Sequence, residues 1–308
     1  MTSPEMQQLI GLLAERSARR AERPAPSLAE RRAIFSPAGQ QHPIPEDVSI
    51  TTAFANGVPV HWLSAPRADS NRVIFYLHGG GYSLGSLQSH GELASRLGRA
   101  SEMNVLMVDY RLAPEHPFPA ALDDALTAWR WLCGQQGHRQ ATCAIIGDSA
   151  GGGLAVAVMV ALRDAREPLP ASAVLLSPWT DLSCSAESIH AAPDPVLTPE
   201  GLALLASNYL AGIDAESPLA SPLFASLHGL PPMLIQVGTA ELLLDDSVRL
   251  SQAAASAGVE VTLQIAEGMP HVYQSMLGAP EAASATADVA SFLGATTQTG
   301  LWRSNREG

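Results

Sequence analysis

The stretch Gly147-Asp148-Ser149-Ala150-Gly151 constrains this chain more than any other, because it joins two apolar segments. A short apolar run ends at Gly147, and a helix-like apolar run over residues 154–162 begins a few residues later. A strand that turns directly into a helix crowds its own backbone, and residues without a Cβ atom leave room there. The pattern Gly-x-Ser-x-Gly in such a turn places the Ser149 hydroxyl at a helix N-terminus, where free N–H groups favour negative charge. The pattern also occurs by chance in glycine-rich turns, so it needs support from the rest of the chain.

Apolar strands alternate with helices on both sides of this turn. The predicted strands cover residues 73–77, 104–108, 142–146, 173–176, 233–237 and 259–265. The predicted helices cover about residues 89–100, 118–133, 151–165, 243–257 and 280–293. A hairpin precedes them, in which residues 48–54 and 58–64 are joined by Ala55-Asn56-Gly57. This alternation predicts an α/β fold with a mostly parallel central sheet that is flanked by helices on both faces.

The alternation is interrupted once, after residue 177. The following 50 or so residues are rich in proline and contain one good helix, at about residues 199–209, but they remain apolar enough to be an insertion and not a linker. Two amphipathic helices, at about residues 5–21 and 27–35, precede the hairpin and are too small to fold alone. The predicted organisation begins with N-terminal helices at residues 1–44. The main α/β domain follows in two parts, residues 45–177 and 231–295, separated by the insertion at residues 178–230. Residues 296–308 are expected to be a disordered tail.

Composition narrows the function classes. The chain has 308 residues, 46% of them apolar, and a formal net charge of −12, which disfavours nucleic acid and anionic membrane surfaces as partners. The three cysteines are too few and scattered for a disulfide framework, and the nine histidines show no metal-ligand spacing. The N-terminus lacks the features of a signal peptide, and no apolar run is long enough for a membrane span. A cytoplasmic protein without a metal is expected.

A nucleophilic serine needs a base and a group that orients the base, and in a parallel sheet these come from loops at the carboxyl ends of strands. His271 lies in such a loop, after the strand that ends near residue 265. Two carboxylates follow the preceding strand: Glu241 in the loop, and Asp245 one turn into the next helix. We favour Glu241, since it can point over the sheet edge, and assign Asp245 a supporting role. The chain order is then serine, acid, histidine.

The run His78-Gly79-Gly80-Gly81 directly follows the apolar strand at residues 73–77. Consecutive glycines let the backbone approach a substrate and aim several N–H groups at one point, which is the requirement of an oxyanion hole. The expected donors are the amides of Gly80, Gly81 and Ala150, with His78 and Gly79 in support. Asp148, beside the serine, is expected to accept hydrogen bonds that fix a loop, because adjacent residues cannot both face His271.

These segments resemble the hormone-sensitive lipase family of bacterial carboxylesterases, within the α/β-hydrolases. Four motifs carry the resemblance, in order: His78-Gly79-Gly80-Gly81, Asp109-Tyr110-Arg111-Leu112-Ala113-Pro114-Glu115, Gly147-Asp148-Ser149-Ala150-Gly151-Gly152 and Gly268-Met269-Pro270-His271. The match extends from about residue 45 to 293. It implies a helical cap made of the N-terminal helices and residues 178–230, and a homodimer that pairs through residues 259–265. In one departure, Glu241 and Asp245 stand where the family usually has Asp-x-Leu-x-Asp.

The expected function is that of a serine carboxylesterase which hydrolyses short- to medium-chain esters, about C2 to C8, through an acyl-enzyme and without a cofactor. Two alternatives stay open at this point. A hydrolase of lactones, carbamates or amides could use the same residues, because only the pocket distinguishes these substrates. A hydrolase-like protein that binds a small ligand without turnover is expected to lose one of the three residues, and this chain has all three.

Overall fold

Eight strands form one sheet in the computed structural model of the chain, which describes residues 2–21, 26–40, 43–191 and 194–297. The strands are β1 (Ser49–Ala55), β2 (Val58–Ser64), β3 (Asp69–Leu77), β4 (Met103–Val108), β5 (Cys143–Asp148), β6 (Ser172–Leu176), β7 (Met233–Gly238) and β8 (Val261–Ala266). Their order across the sheet is β1-β2-β4-β3-β5-β6-β7-β8. The β1–β2 and β2–β4 pairs are antiparallel, and all other neighbours are parallel. The predicted mostly parallel sheet is therefore confirmed.

The helices of the described residues lie on both faces of this sheet. They are α1 (Pro4–Ala21), α2 (Leu28–Gln40), α3 (Leu87–Ser101), α4 (Ala120–Gly134), α5 (Ala150–Asp164), α6 (Ser188–Ala191), α7 (Pro199–Leu210), α8 (Leu244–Ser256) and α9 (Pro280–Thr296). Short 3₁₀ turns occur at Gln140–Thr142, Pro222–Phe224 and Tyr273–Ser275. Several helix starts have clear signals. Ser27 and Glu30 form a reciprocal capping box before α2, and the Thr198 hydroxyl accepts a hydrogen bond from Gly201 N at the start of α7.

The two-residue period of the strands divides the core into two layers. On β3, Val73, Phe75 and Leu77 belong to the core cluster that includes residues of α4 and α5. The intervening Ile74 and Tyr76 belong to the cluster that includes residues of α3 and α9. All five side chains are fully buried. A strand buried on both faces needs apolar residues at every position, which is why this segment reads as a continuous apolar run.

The elements differ from the sequence predictions mainly at their ends. Strand β3 begins at Asp69, four residues before the apolar run, where Asp69 pairs with Met103 of β4 before the register shifts at Val73. Strand β8 begins at Val261, two residues later than predicted. Helix α2 continues to Gln40, past the predicted end at residue 35. The short helix α6 was not predicted, since four residues carry no period. The predicted disordered tail lies mostly outside the described residues, although α9 includes Thr296 and Thr297 is buried.

The N-terminal helices contact two separate parts of the molecule. Near the start of α1, Ser3 donates a hydrogen bond to Glu281 of α9, and Met6 packs in a cluster with Met269 and Tyr273. From α2, Arg32 donates hydrogen bonds to the carbonyl oxygens of Ser83 and Ala113 and forms an ion pair with Glu115. No helix of the described residues combines the length and the apolar character needed to cross a membrane.

Residues 178–230 are called the cap segment below, and helix α7 of this segment approaches the carboxyl edge of the sheet. A Cβ atom added to Gly81 would come within 2.5 Å of Leu205 Cδ1, so helix α7 packs directly on the glycine run. The ring of Tyr209, also on α7, stacks on Tyr82 with 3.7 Å between ring centroids. The predicted site residues follow the carboxyl ends of β3, β5, β7 and β8, at this same edge of the sheet.

Candidate active site

Ser149 lies between the last residue of β5 and the first residue of α5, with φ of 52° and ψ of −123°. This left-handed conformation is strained for a residue with a side chain and costs on the order of 1–3 kcal/mol. The turn is possible because Gly147 and Gly151, two residues before and two residues after the serine, lack Cβ atoms. A Cβ atom on Gly147 would collide with the carbonyl oxygen of Gly151, and one on Gly151 would collide with the carbonyl oxygen of Leu77. The two glycines of the motif therefore permit the close approach that the turn requires.

His271 lies between Ser149 and Glu241. Its Nε2 atom is 2.9 Å from Ser149 Oγ, and its Nδ1 atom is 3.0 Å from Glu241 Oε1. All three residues are buried, with Ser149 8% exposed, His271 6% and Glu241 1%. A carboxylate accepts a hydrogen bond, so the proton on the ring is assigned to Nδ1, which leaves Nε2 free to accept the serine proton. The three side chains form one continuous chain of hydrogen bonds.

Glu241 is itself fixed by its second carboxylate oxygen. Oε2 accepts hydrogen bonds from Ser177 Oγ at 2.7 Å and from Gly238 N at 2.9 Å. Ser177 Oγ in turn accepts a hydrogen bond from Val272 N at 3.1 Å. The Ser177 hydroxyl therefore joins the carboxylate to the residue that follows His271. Sequence reasoning missed this role, although Ser177 directly follows β6 at the same sheet edge, which is a usable signal.

Asp245 does not contact His271. Its Oδ2 atom accepts a hydrogen bond from Ser188 N at 2.8 Å, and its own N–H donates to Ser188 Oγ at 3.2 Å. Asp245 thus joins the start of α8 to the cap segment. Between the two carboxylates, the structure places Glu241 against the imidazole and Asp245 in the contact that supports the loop, which is the arrangement favoured from the sequence.

The surroundings of His271 act on its pKa in opposite directions. Burial favours the neutral ring and lowers the pKa, but the hydrogen bond and charge of Glu241 oppose burial, aided by the charges of Asp194 and Asp148. The carboxylates prevail, and the pKa of His271 lies above its ordinary value. An imidazole with a raised pKa is well suited to hold a proton taken from a nucleophile.

The glycine run presents unpaired amides beside Ser149. Gly80 and Gly81 have φ of 115° and 59°, a region that favours glycine. Within the described residues, the N–H groups of Gly80, Gly81 and Ala150 donate to no protein acceptor. The amide of Ala150 is free because it opens helix α5, whose first N–H groups have no partner within the helix. These three amides are available to a ligand atom near Ser149.

Asp148 binds the backbone of the glycine run. Its Oδ1 atom accepts hydrogen bonds from Gly79 N at 3.1 Å and Tyr76 Oη at 2.7 Å, and its Oδ2 atom lies 3.3 Å from His90 Nε2. Burial works to raise the pKa of Asp148, but His90 and Tyr76 stabilise the carboxylate and hold the pKa below its ordinary value. Asp148 is thus a buried anion that binds the loop, and the contribution of His90 was not foreseen from the sequence.

His78, which begins the same loop, is fully buried. Its ring stacks on Tyr110 with 4.2 Å between centroids, and its Nδ1 atom lies 2.8 Å from the carbonyl oxygen of Gly79, to which it donates. Burial lowers the pKa of His78 to about 3, so the ring is neutral in the physiological range. Tyr110 also donates a hydrogen bond to the carbonyl oxygen of His78 at 2.6 Å. No group of three metal-ligating side chains is found in the described part of the chain.

A serine, a histidine and a carboxylate at the carboxyl edge of a mostly parallel sheet, with the serine at a strand-to-helix turn, define the α/β-hydrolase class. Residues 74–275 match the family described as alpha/beta hydrolase fold. This chain belongs to the α/β-hydrolase family and, within it, to the esterases of the bacterial hormone-sensitive lipase family, as the sequence motifs predicted.

Named relatives and a solved structure support this membership. An acetyl-hydrolase of Streptomyces hygroscopicus is 47% identical over 245 residues, which cover 78% of this chain and 81% of that protein. An ethyl acetate hydrolase of Pseudomonas putida is 35% identical over 240 residues, covering 75% and 76% of the two chains. The crystal structure of an esterase from the bacterial hormone-sensitive lipase family is similar with a TM-score of 0.91 at 42% identity, covering 97% of this chain and 100% of that one.

Proposed function

We propose that Ser149, His271 and Glu241 are the catalytic triad of this enzyme, and that it hydrolyses carboxylic esters through an acyl-enzyme on Ser149. Membership of the family makes the chain a carboxylic ester hydrolase. The observation that carries the assignment of residues is the continuous line of hydrogen bonds from Ser149 Oγ through both ring nitrogens of His271 to Glu241 Oε1.

In the first half of the proposed reaction, His271 Nε2 takes the proton of the Ser149 hydroxyl as Oγ attacks the ester carbonyl carbon. The carbonyl oxygen becomes an oxyanion, which the amides of Gly80, Gly81 and Ala150 stabilise. Losing one such donor costs roughly 3 kcal/mol in a serine protease that uses the same chemistry. His271 then gives its proton to the leaving alkoxide, and the C–O bond breaks. Glu241 keeps the imidazole oriented and stabilises its positive charge throughout.

In the second half, a water molecule takes the place of the alcohol. His271 Nε2 accepts a proton from this water as its oxygen attacks the acyl carbon, and the same three amides hold the second oxyanion. The proton then returns to Ser149 Oγ as the acid leaves. The net reaction consumes one water and releases an alcohol and a carboxylic acid. Each step uses only side chains and amides of this chain, so no cofactor enters the proposal.

We propose short- to medium-chain acyl groups, about C2 to C8, as the preferred substrates. Two relatives are named as an acetyl-hydrolase and an ethyl acetate hydrolase, which are short-chain activities. In this chain, Leu205 lies against Gly81, and Tyr82 stacks on Tyr209, so α7 limits the space above the proposed oxyanion hole. Nothing in the comparisons favours hydrolysis of lactones, or binding without turnover, over ester hydrolysis.

Three further proposals concern the whole protein. A homodimer that pairs through β8 is supported by the place of that strand at one end of the sheet, where its outer edge has no neighbouring strand in the described chain, and by the exposure of Ile265. The domain boundaries at residues 44, 177, 230 and 295 and a cytoplasmic location also stay predictions. Gel filtration with light scattering tests the dimer, for which the expected mass is twice that of the 32.3 kDa chain.

The triad proposal is tested by Ser149→Ala. The variant removes one small hydroxyl and the strain at a positive φ remains, so it should fold, and its hydrolysis of p-nitrophenyl acetate should fall by on the order of 10³-fold or more. A fluorophosphonate probe should label the wild-type enzyme at Ser149 and leave the variant unlabelled. Stoichiometric labelling of the variant, or activity close to that of the wild type, would assign the nucleophile to another residue.

A further inference from the structure

Two side chains of the cap segment bind the backbone of the loop that carries Glu241. This loop and the first two residues of α8, residues 239–245 together, are called the acid loop below. Ser188 Oγ donates a hydrogen bond to the carbonyl oxygen of Leu242 at 2.6 Å, and Leu242 N donates to Asp194 Oδ2 at 3.0 Å. Both backbone polar groups of Leu242, the residue next to Glu241, are therefore satisfied by the cap segment.

The carboxylate of Asp194 has a fixed orientation. Its Oδ1 atom accepts hydrogen bonds from Val196 N at 2.7 Å and Leu197 N at 3.0 Å, while Oδ2 accepts the bond from Leu242 N. Three N–H donors therefore hold this one side chain in place. Asp194 thus presents a negative charge in a set position beside the acid loop.

The charge of Asp194 reaches His271 without contacting it. Three carboxylates act on the imidazole: Glu241, which is hydrogen-bonded to it, then Asp194 from the cap segment and Asp148 from the end of β5. Burial lowers the pKa of His271, and these charges together raise it above its ordinary value. Of the three carboxylates, only Asp194 belongs to the cap segment. Its effect on the pKa of His271 therefore depends on the position of the cap segment relative to the acid loop.

We propose that Asp194 is a positioning residue of the active site, through which the cap segment both holds the acid loop and stabilises the protonated imidazole of His271. This inference rests on the proposed triad and extends it to a residue outside the catalytic domain. During each half-reaction His271 carries a proton and a positive charge, which a fixed negative charge nearby stabilises in the transition state. Asp194 touches neither substrate nor the reacting atoms and acts through Glu241 and His271.

Asp194→Asn tests the charge, since asparagine keeps the size and one acceptor oxygen. The pH dependence of kcat/KM for p-nitrophenyl acetate should show an acidic limb, where protonation of His271 abolishes activity. In Asp194→Asn this limb should move to lower pH by about half a unit, because one negative charge near the imidazole is lost. The value of kcat on the plateau should fall by about 3- to 10-fold. Asp194→Glu, which retains the charge, should restore the limb towards its wild-type position.

Ser188→Ala is the matched control. It removes two uncharged hydrogen bonds between the cap segment and the acid loop, from Ser188 Oγ to Leu242 O and from Asp245 N to Ser188 Oγ. It should lower kcat through loss of support, with the acidic limb unmoved. Circular dichroism and melting temperatures should show that every variant folds.

The two proposals fail in different ways. If the acidic limb of a folded Asp194→Asn enzyme coincides with that of the wild type, or if Ser188→Ala shifts it equally, the charge role of Asp194 is overturned while the triad stands. A direct NMR titration of the His271 ring in Ser149→Ala gives the same comparison without turnover, and an unchanged titration in the Asp194→Asn background would likewise overturn the inference. If the wild-type enzyme hydrolyses no ester, or Ser149→Ala retains full activity, the triad fails instead.

Discussion

Glu241 Oε1 lies 3.0 Å from His271 Nδ1, at the opposite end of the imidazole from Ser149. The carboxylate reaches this position from the loop after β7, while Asp245, four residues later, turns away to Ser188. The longer side chain of glutamate is accommodated because Ser177 and the amide of Gly238 hold its second oxygen. The proposed acid and its support are therefore distinct residues.

Neutralising these two carboxylates should have unequal effects. Glu241→Gln keeps the shape but replaces the charge that stabilises the imidazolium, so kcat should fall by on the order of 10²-fold or more with little change in KM. Asp245→Asn should cost less, since it weakens only the contact with Ser188. Glu241→Asp keeps the charge at shorter reach and should retain partial activity. Steady-state kinetics, with circular dichroism as the folding control, measure all three. An Asp245→Asn enzyme more impaired than Glu241→Gln would transfer the role of triad acid to Asp245.

A buried carboxylate of α8 should make stability depend on pH. Asp246 Oδ2 accepts hydrogen bonds from Thr180 N and Asp181 N, at 2.7 and 2.9 Å, while Oδ1 has no partner in the described chain. Burial raises the pKa of Asp246 to about 7, despite the two amides. An unfolded aspartate has a pKa of about 3.9. Between these values the unfolded chain releases a proton that the folded protein keeps, so this group lowers the free energy of unfolding as pH rises.

Asp246→Asn cannot ionise and should lose this decline. The free energy of unfolding of the variant minus that of the wild type should therefore be larger at pH 8 than at pH 5, by on the order of 2 kcal/mol. Asp181→Asn is the control, because Ser183, Ser185 and Arg249 outweigh burial and hold the pKa of Asp181 below its ordinary value, so this carboxylate is ionised in both states at pH 5 and at pH 8 and its own ionisation adds no pH dependence there. Urea unfolding at the two pH values measures both. An Asp246→Asn protein that follows the wild-type pH dependence would contradict the raised pKa.

The sequence motifs were informative where the required geometry is local. The turn at Ser149 and the glycine run each need glycines within a few residues, so both could be read directly from the chain. For Ser177 the sequence gives only a place at the sheet edge after β6, and the distant partners of Ser177, Asp194 and Asp246 could not be predicted, because they are 64, 48 and 66 residues away. No local pattern around a single serine or aspartate identifies a partner so far away in the chain. Such contacts follow from how the cap segment packs on the sheet, which a single sequence does not specify.

Acyl-chain preference should depend on Leu205. In a p-nitrophenyl ester series from C2 to C16, the wild-type enzyme should prefer C2 to C8. Leu205→Ala removes the side chain that packs on Gly81 and should raise the ratio of kcat/KM for C10 over C4 esters by about 10-fold. Leu204→Ala is the matched control, because Leu204 is the neighbouring residue on α7 and is 47% exposed. A wild-type rate that rises steadily to C16, or equal effects of the two variants, would refute this limit.

The most direct test of the central claim is to observe the acyl-enzyme on Ser149. Wild-type enzyme mixed with p-nitrophenyl acetate and quenched in acid within the first turnover should carry one acetyl group, which peptide mapping by mass spectrometry should place on the peptide that contains Ser149. The His271→Ala enzyme should form this adduct far more slowly, and Ser149→Ala should form none. An acetyl group on another residue, or turnover by the wild type through a pathway that Ser149→Ala retains, would contradict nucleophilic catalysis by Ser149.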